Sequence, residues 1–264
     1  MQRKYNFITL SLFILSFLIT QIVFHYTESI YTGYYLEDYI HSKGKGISTG
    51  IEDFKVHHPY LRDDINKSDD SIQTRISDDT SYKIIPQEIS QIDVIYVKTN
   101  MKYDQIFGHI FFRLRFCNHS KPCKSEYNDL AFDITIGNYS SPDFSEIKSL
   151  GFSYKAYLEA HKFKHLRDRY LEDGRSLISF HLDLESEDTH KLVSYLLKNN
   201  RSILGTWNSL YFNCNYYLQK ILITNIKPLQ NYRPFYSIWG TSFIETYEIL
   251  LEKLNVYEIT MSRP

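Results

Sequence analysis

The chain has 264 residues, a formal net charge of -1 and a composition that is 43% hydrophobic and 16% aromatic. A chain of this length and hydrophobic content buries enough surface for one catalytic domain. Because no excess of basic residues is present to neutralise a phosphate backbone, the composition argues against a nucleic-acid partner.

The amino terminus combines two basic residues with an apolar run. Arg3 and Lys4 precede residues 7–24, in which only Thr, Ser and Gln residues interrupt the apolar side chains. About 20 helical residues cross the hydrocarbon core of a bilayer, and the basic residues remain on the cytoplasmic side. We therefore predict a membrane anchor over residues 1–26 and export of the chain that follows. A cleavable signal peptide is the alternative, although no small residues mark a cleavage site after the run.

Residues 27–84 are polar, with many Asp, Ser, Asn and Lys side chains. Their apolar residues show too little periodicity to build a core, so we predict a tether with a short helix near residues 34–41. The folded domain is predicted to occupy residues 85–264.

This domain opens with three segments that have the composition of strands, at residues 93–98, 110–116 and 129–137. Their succession favours an antiparallel sheet. A further strand is predicted at 176–184, and helices are predicted at 144–173, 186–198, 215–224 and 242–254. The pattern predicts an α+β domain in which a small antiparallel sheet packs on helices.

Cys214 lies where turn-forming residues give way to the helix predicted at 215–224. A thiol in the first turn of a helix faces the positive end of the helix dipole, which favours the thiolate. Cys214 therefore suits a nucleophile, although an isolated cysteine is also a common space-filling core residue. An oxyanion formed there would accept from the backbone N–H of Cys214, with the side chain of Asn213 as a second candidate donor.

His109 is the candidate base, because it follows Gly108 at the start of a predicted strand and glycine admits close backbone approach. An imidazole accepts the thiol proton and later protonates the leaving group. The alternative is a histidine that only makes hydrogen bonds at a sheet edge. Asp133 and Asn138, on or just beyond the next predicted strand, are the candidates for the group that orients the ring. Either residue could instead make a turn contact.

The other two cysteines are separated by five residues. In an exported domain, Cys117 and Cys123 can close a short loop through a disulfide. A metal site formed by Cys117, His119 and Cys123 is the competing idea, but it has no clear fourth ligand. We therefore expect the disulfide, no metal and no cofactor. His119 is a weaker candidate base, and four other histidines are expected at the surface: His161, His165, His181 and His190.

Several short blocks in a fixed order resemble the Lnb N-terminal periplasmic domain family over about residues 92–224. The blocks are Phe107-Gly108-His109, Asp133 with Asn138-Tyr139, Tyr170 with Gly174-Arg175-Ser176, residues 196–200, and Phe212-Asn213-Cys214. The resemblance implies a circularly permuted papain-like, or LRAT-like, domain in which the histidine precedes the cysteine. It also implies that Cys214 is the acyl-accepting nucleophile and His109 the base, in transfer of a fatty acyl group to the amino terminus of a lipoprotein.

The sequence departs from the family pattern in two places. Ser140 follows Asn138-Tyr139 where the family motif has glycine, and no multi-helix membrane region is predicted after Thr224. We therefore expect the amino-terminal anchor to tether an outward-facing thiol acyltransferase, with a membrane phospholipid or a lipoprotein as substrate. A cysteine peptidase or amidase of the cell envelope and a non-catalytic envelope module are the alternatives.

Overall fold

The computed structural model describes residues 10–20, 23, 27, 36–49, 72–76, 81–84, 89–98, 108–116, 129–136, 154–208, 212–232 and 243–264. The strands in these residues are β1 (Ser48–Thr49), β2 (Ile72–Arg75), β3 (Ser81–Ile84), β4 (Ile89–Val97), β5 (His109–Phe116), β6 (Leu130–Ile136), β7 (Tyr154–Lys162), β8 (Leu177–Asp183), β9 (Ile203–Trp207) and β10 (Asn255–Ser262). The helices that frame the sheet are α1 (Phe163–Glu172), α2 (Ser186–Lys198), α3 (Cys214–Asn225) and α4 (Phe243–Glu248), the last continuing into a π-helical turn at Ile249–Lys253.

Eight strands form one sheet in the order β1, β10, β8, β4, β5, β6, β7, β9, and β2 pairs with β3 in a separate hairpin. The three strands predicted first, β4 to β6, are antiparallel neighbours as the sequence indicates. Only the short pair of β1 with β10 is parallel. The mixed helix and strand composition is therefore confirmed, but the prediction of a small sheet is wrong, because the strands β7, β9 and β10 extend it.

Strand β7 occupies residues that the sequence predicts to be helical. Its buried side chains are Ala156, Leu158 and Ala160, which alternate along the strand between two neighbours, β6 and β9. Because alanine is small, these positions weaken the alternation of apolar and polar residues that indicates a strand. Tyrosines at 154 and 157 have instead the three-residue spacing of a helix. The helical prediction is correct for α1, whereas residues 144–153 lie outside the described residues.

The two faces of the sheet bury different cores. Alternate side chains of β5 face opposite sides, so Ile110 and Phe112 meet the large core with Leu218 of α3, while Phe111 meets Tyr170 of α1. Burying one large apolar side chain contributes about 1.5–3 kcal/mol, and both helices are held mainly by such contacts. The sheet is thus covered on one side by α3 and on the other by α1.

The predicted tether contributes to the large core. Residues 36–42 are helical, close to the predicted short helix, and the buried apolar side chains of this part of the chain are Leu36, Ile40, Ile76 and Ile84. Lys98 Nζ also lies 2.7 Å from Glu37 Oε1. This packing differs from the expectation of a linker outside the core, because a few well-placed apolar residues bury their side chains without a visible sequence period.

A row of charged side chains crosses the α1 face of the sheet beyond the apolar cluster. His181 Nδ1 lies 2.8 Å from Asp93 Oδ1, and His181 Nε2 lies 2.9 Å from Thr260 Oγ1. Arg113 donates to Asp129 from both Nε and Nη2. The surface position predicted for His181 is wrong, because its strand lies between β4 and β10 and the side chain is fully buried.

No helix in the described part of the chain is long and apolar enough to cross a membrane. The predicted anchor is described only at residues 10–20 and 23, which are helical and exposed.

Candidate active site

His109 and Cys214, which the sequence predicts to be the base and the nucleophile, lie at one end of the sheet. Val97, at the end of β4, lies opposite both His109 and Leu177, so β5 and β8 begin there. The pairing of Tyr154 with Trp207 places the end of β9 at the same sheet end, and α3 begins shortly afterwards at Cys214. The topology therefore brings the histidine and the cysteine to the same end of the sheet.

His109 and Asp133 form a direct hydrogen bond, with 2.5 Å between Nε2 and Oδ1. The ladder between β5 and β6 runs only from Leu114–Leu130 to Phe112–Phe132, and the side-chain bond joins the two strands beyond that point. The His109 side chain is 18% exposed and that of Asp133 is 8% exposed. The pair is therefore mostly shielded from water, but its imidazole remains reachable.

The electrostatics of this pair favour the charged imidazolium. Burial alone would lower the pKa of His109, but Asp133 raises it through its charge and its hydrogen bond. The charges of Tyr170 and Cys214 act in the same direction, and the pKa of His109 lies well above its ordinary value of 6.5. Burial would raise the pKa of Asp133, but the His109 charge and hydrogen bond hold it below its ordinary 3.8.

Cys214 is the first residue of α3 and carries a free, buried thiol that is 5% exposed. Asn213 is the N-cap, and its Oδ1 accepts a hydrogen bond of 3.1 Å from the backbone N–H of Tyr216. This cap fixes the first turn of α3, so the thiol lies at the amino end of the helix. The thiol is near enough to His109 for its charge to affect the imidazole.

Two sets of buried contacts fix α3. Thr246 of α4 donates to Asn215 Oδ1 and accepts from Gln219 Nε2 at 2.8 Å, so one hydroxyl joins two turns of α3 to α4. On the other side, the Tyr217 hydroxyl donates to the Thr206 carbonyl of β9 at 2.7 Å. The position of Cys214 is therefore set by both neighbouring elements.

Gly108 allows β5 to begin beside a buried tyrosine. A Cβ at residue 108 would overlap the phenol of Tyr96, whose ring contacts Phe243 at 5.3 Å and Tyr247 at 5.5 Å between centres. Because Tyr96 is enclosed by these rings, it has no room to retreat from a larger residue. The glycine before His109 thus serves close packing, as the sequence suggests.

Tyr170 and Arg175 also border the site, although the residue-by-residue sequence reasoning assigned them no role. The ring centre of Tyr170 lies 6.1 Å from that of His109, and the Arg175 guanidinium lies 5.1 Å from the Tyr170 ring centre. Gly174, with φ of 75°, turns the chain so that Arg175 Nε reaches the carbonyl of Lys98 at 2.8 Å. The sequence signal for Tyr170 and Arg175 was their presence in the blocks that resemble the family.

The structure describes only some of the remaining predicted residues. Asn138, Cys117, Cys123 and His119 lie outside the described residues. His165 and His190 are exposed as predicted, and His161 is partly buried beside Glu159. Within the described ranges, no group of His, Cys, Asp and Glu side chains is arranged to hold a metal ion.

Comparison with known proteins gives one match. The family model described as the Lnb N-terminal periplasmic domain matches residues 81–253, about two thirds of the chain. No curated protein and no solved structure shows a significant match. The matched range contains His109, Asp133, Tyr170, Arg175 and Cys214.

Proposed function

The chain belongs to the Lnb N-terminal periplasmic domain family, and from this premise we propose that it is a membrane-anchored thiol acyltransferase outside the cytoplasm. The observation that carries the proposal is a hydrogen-bonded His109–Asp133 pair at the sheet end where α3 presents a free thiol. These are the parts that thiol acyl chemistry requires: a nucleophile, a base and a group that orients the base. The order of His109 before Cys214 also agrees with the circularly permuted papain-like arrangement that we propose.

In the acylation step, the Cys214 sulfur attacks the carbonyl carbon of an acyl ester, and the carbonyl electron pair moves to its oxygen. As this pair returns, the carbon–oxygen ester bond breaks and the imidazolium of His109 gives its proton to the departing alkoxide. The acyl group then remains on sulfur as a thioester. The raised pKa of His109 supports this sequence, because it supplies the proton donor at neutral pH.

In the transfer step, the amino group of an acceptor attacks the thioester carbon. His109 takes the proton from the attacking nitrogen, the carbon–sulfur bond breaks, and the thiolate is restored as an amide forms. Asp133 stays hydrogen-bonded to Nε2 of the ring during both steps. The other ring nitrogen, Nδ1, therefore carries the transferred proton.

The proposed substrates are acyl groups of phospholipids or lipoproteins. Periplasmic family membership supports an extracytoplasmic location, and the exposed apolar side chains of residues 10–20 support membrane attachment. A domain tethered beside the bilayer meets lipid substrates at a raised effective concentration. We propose that the amino-terminal run is this tether.

Mass spectrometry of the peptide that contains Cys214 tests the proposal. The full chain is incubated with phosphatidylethanolamine vesicles, and a fatty acyl adduct that hydroxylamine removes is expected on Cys214. The adduct should be absent in Cys214→Ser and unchanged in His165→Ala, which replaces an exposed histidine of α1. Adding a peptide with a free amino terminus should then yield an acylated peptide.

Two results would contradict the proposal. An unmodified Cys214 peptide in the active, folded chain would remove the thioester intermediate. Release of free fatty acid alone, with no acylated peptide, would replace the transferase by a hydrolase with the same nucleophile.

A further inference from the structure

Attack on an acyl carbonyl places a negative charge on oxygen, and enzymes stabilise this oxyanion with preorganised hydrogen-bond donors. The first-turn N–H groups of α3 are suitable donors, because they have no partner within the helix. The oxygen of the Asn213 side chain is already engaged as the cap of α3. That bond uses the oxygen of Asn213 and not its amide N–H groups, and a further candidate donor lies beside His109 on α1.

Tyr170 lies beside the imidazole that serves Cys214. Its ring is stacked against Phe111 with 6.3 Å between centres and lies 6.1 Å from the His109 ring centre. The residue as a whole is 8% exposed. Within the described stretches, no hydrogen bond engages this hydroxyl.

Two arginines hold the Tyr170 ring in place. The guanidinium of Arg169 lies 5.3 Å from the ring centre and that of Arg175 lies 5.1 Å from it, both within the range of cation–π attraction. Arg175 is itself fixed by the carbonyls of Val97 and Lys98 at the end of β4. A ring held this firmly presents its hydroxyl without a reorganisation cost, which is the condition for oxyanion stabilisation.

We propose that the Tyr170 hydroxyl donates a hydrogen bond to the oxyanion formed when Cys214 attacks its acyl substrate. This inference rests on the proposed function and adds a catalytic residue to it. The hydroxyl keeps its proton throughout: it donates to the oxygen while the carbon–sulfur bond forms, and the bond weakens when the carbonyl is restored. Burial raises the pKa of Tyr170, which keeps the phenol protonated at neutral pH.

The test compares two reactions of the same thiol in the full chain. Acylation by a p-nitrophenyl ester passes through an oxyanion, whereas alkylation by iodoacetamide does not. In Tyr170→Phe, the acylation rate constant should fall roughly 100- to 1,000-fold, as for loss of one oxyanion donor. The alkylation rate constant should stay within about twofold of the wild type, since the ring and its contacts remain.

Tyr195→Phe is the matched control, because Tyr195 is a partly buried tyrosine of α2 whose raised pKa has burial as its cause. Both of its rate constants should equal those of the wild type. Equal acylation by wild type and Tyr170→Phe would overturn the donor assignment and leave the proposed function intact. An equal fall in both reactions would also overturn it, because Tyr170 would then act on the thiol or the imidazole. If the wild-type thiol is not acylated at all, the proposed function itself fails.

Discussion

At the scale of single residues, opposing effects set the proton affinity of His109. Desolvation disfavours the imidazolium, but the adjacent Asp133 carboxylate favours it through charge and hydrogen bonding. Desolvation is the largest single effect, but the charges of Asp133, Tyr170 and Cys214 and the Asp133 hydrogen bond together outweigh it, so the pKa of His109 is raised well above its ordinary value. Asp133 therefore both contacts the His109 ring and favours its charged form.

Replacing Asp133 with Asn should lower the pKa of His109. The amide still fills the space, but it removes the negative charge that offsets desolvation. NMR titration of the His109 ring in the two proteins measures the change. Glu159→Gln is the control, because Glu159 lies directly opposite Asp133 on β7 without bonding His109. An unchanged His109 titration in Asp133→Asn would show that another group sustains the charge.

The same pair makes stability depend on pH. The raised pKa of His109 contributes stability that is complete below 6.5 and is lost as pH rises through the folded value. The lowered pKa of Asp133 contributes stability that is complete above 3.8 and is lost as pH falls through the folded value. The pair therefore stabilises the domain most between these two ordinary values.

At the scale of elements, the start of α3 determines where the thiol lies. Asn213 satisfies one backbone N–H of the first turn, and Thr246 joins the helix to α4. The cap contacts Tyr216, and Thr246 contacts Asn215 and Gln219, so both contacts lie within the first two turns of α3. The site therefore depends on the helix terminus as much as on the reactive side chains.

Asn213→Ala should lower the free energy of unfolding by about 1 kcal/mol, because the first turn of α3 loses its cap. Urea denaturation of the variant and the wild type measures this difference. Asn213→Ser should recover most of the loss, since a serine oxygen can accept the same N–H bond. If the Ala variant were as stable as the wild type, the cap would contribute nothing to α3.

The elements with strong local signals were predictable from sequence. Helix α2 has the predicted bounds, and α3 extends the predicted helix by one residue at each end. Strand β7 was not predictable, because its register depends on two partner strands rather than on its own pattern. The contact of Asp133 with His109 was not predictable either, because it forms beyond the residues at which β5 and β6 pair. The order of the sequence blocks could assign His109 and Cys214 to one family pattern. It could not predict that the two residues lie at the same end of the sheet.

At the scale of the whole molecule, the packing of residues 36–40 limits the distance between the folded domain and the predicted anchor. Leu36 and Ile40 lie in the large core, so only nine residues, 27–35, separate the predicted anchor from the domain. Nine extended residues span at most about 30 Å, whereas a tether of residues 27–84 would span about 200 Å. The anchor that we propose would therefore hold the domain close to the bilayer that we propose as the source of its substrate.

An exported domain with a Cys117–Cys123 disulfide should contain one free thiol among its three cysteines. Thiol titration of unreduced, denatured protein from the cell envelope should therefore give one thiol per chain, because an oxidising compartment preserves the bond. The Cys214→Ser variant should give none. Three thiols in the wild-type protein would contradict both the disulfide and the export that favours it.

The pairing of Cys214 with His109 is tested most directly by the rate of iodoacetamide alkylation at about pH 5.5, in wild type and in His109→Ala. We expect the wild-type thiol to react quickly at this pH and the rate to fall roughly 10-fold or more when the imidazole is removed. His165→Ala should react like the wild type. Equal, slow alkylation of the wild type and His109→Ala would show that the imidazole does not activate the thiol.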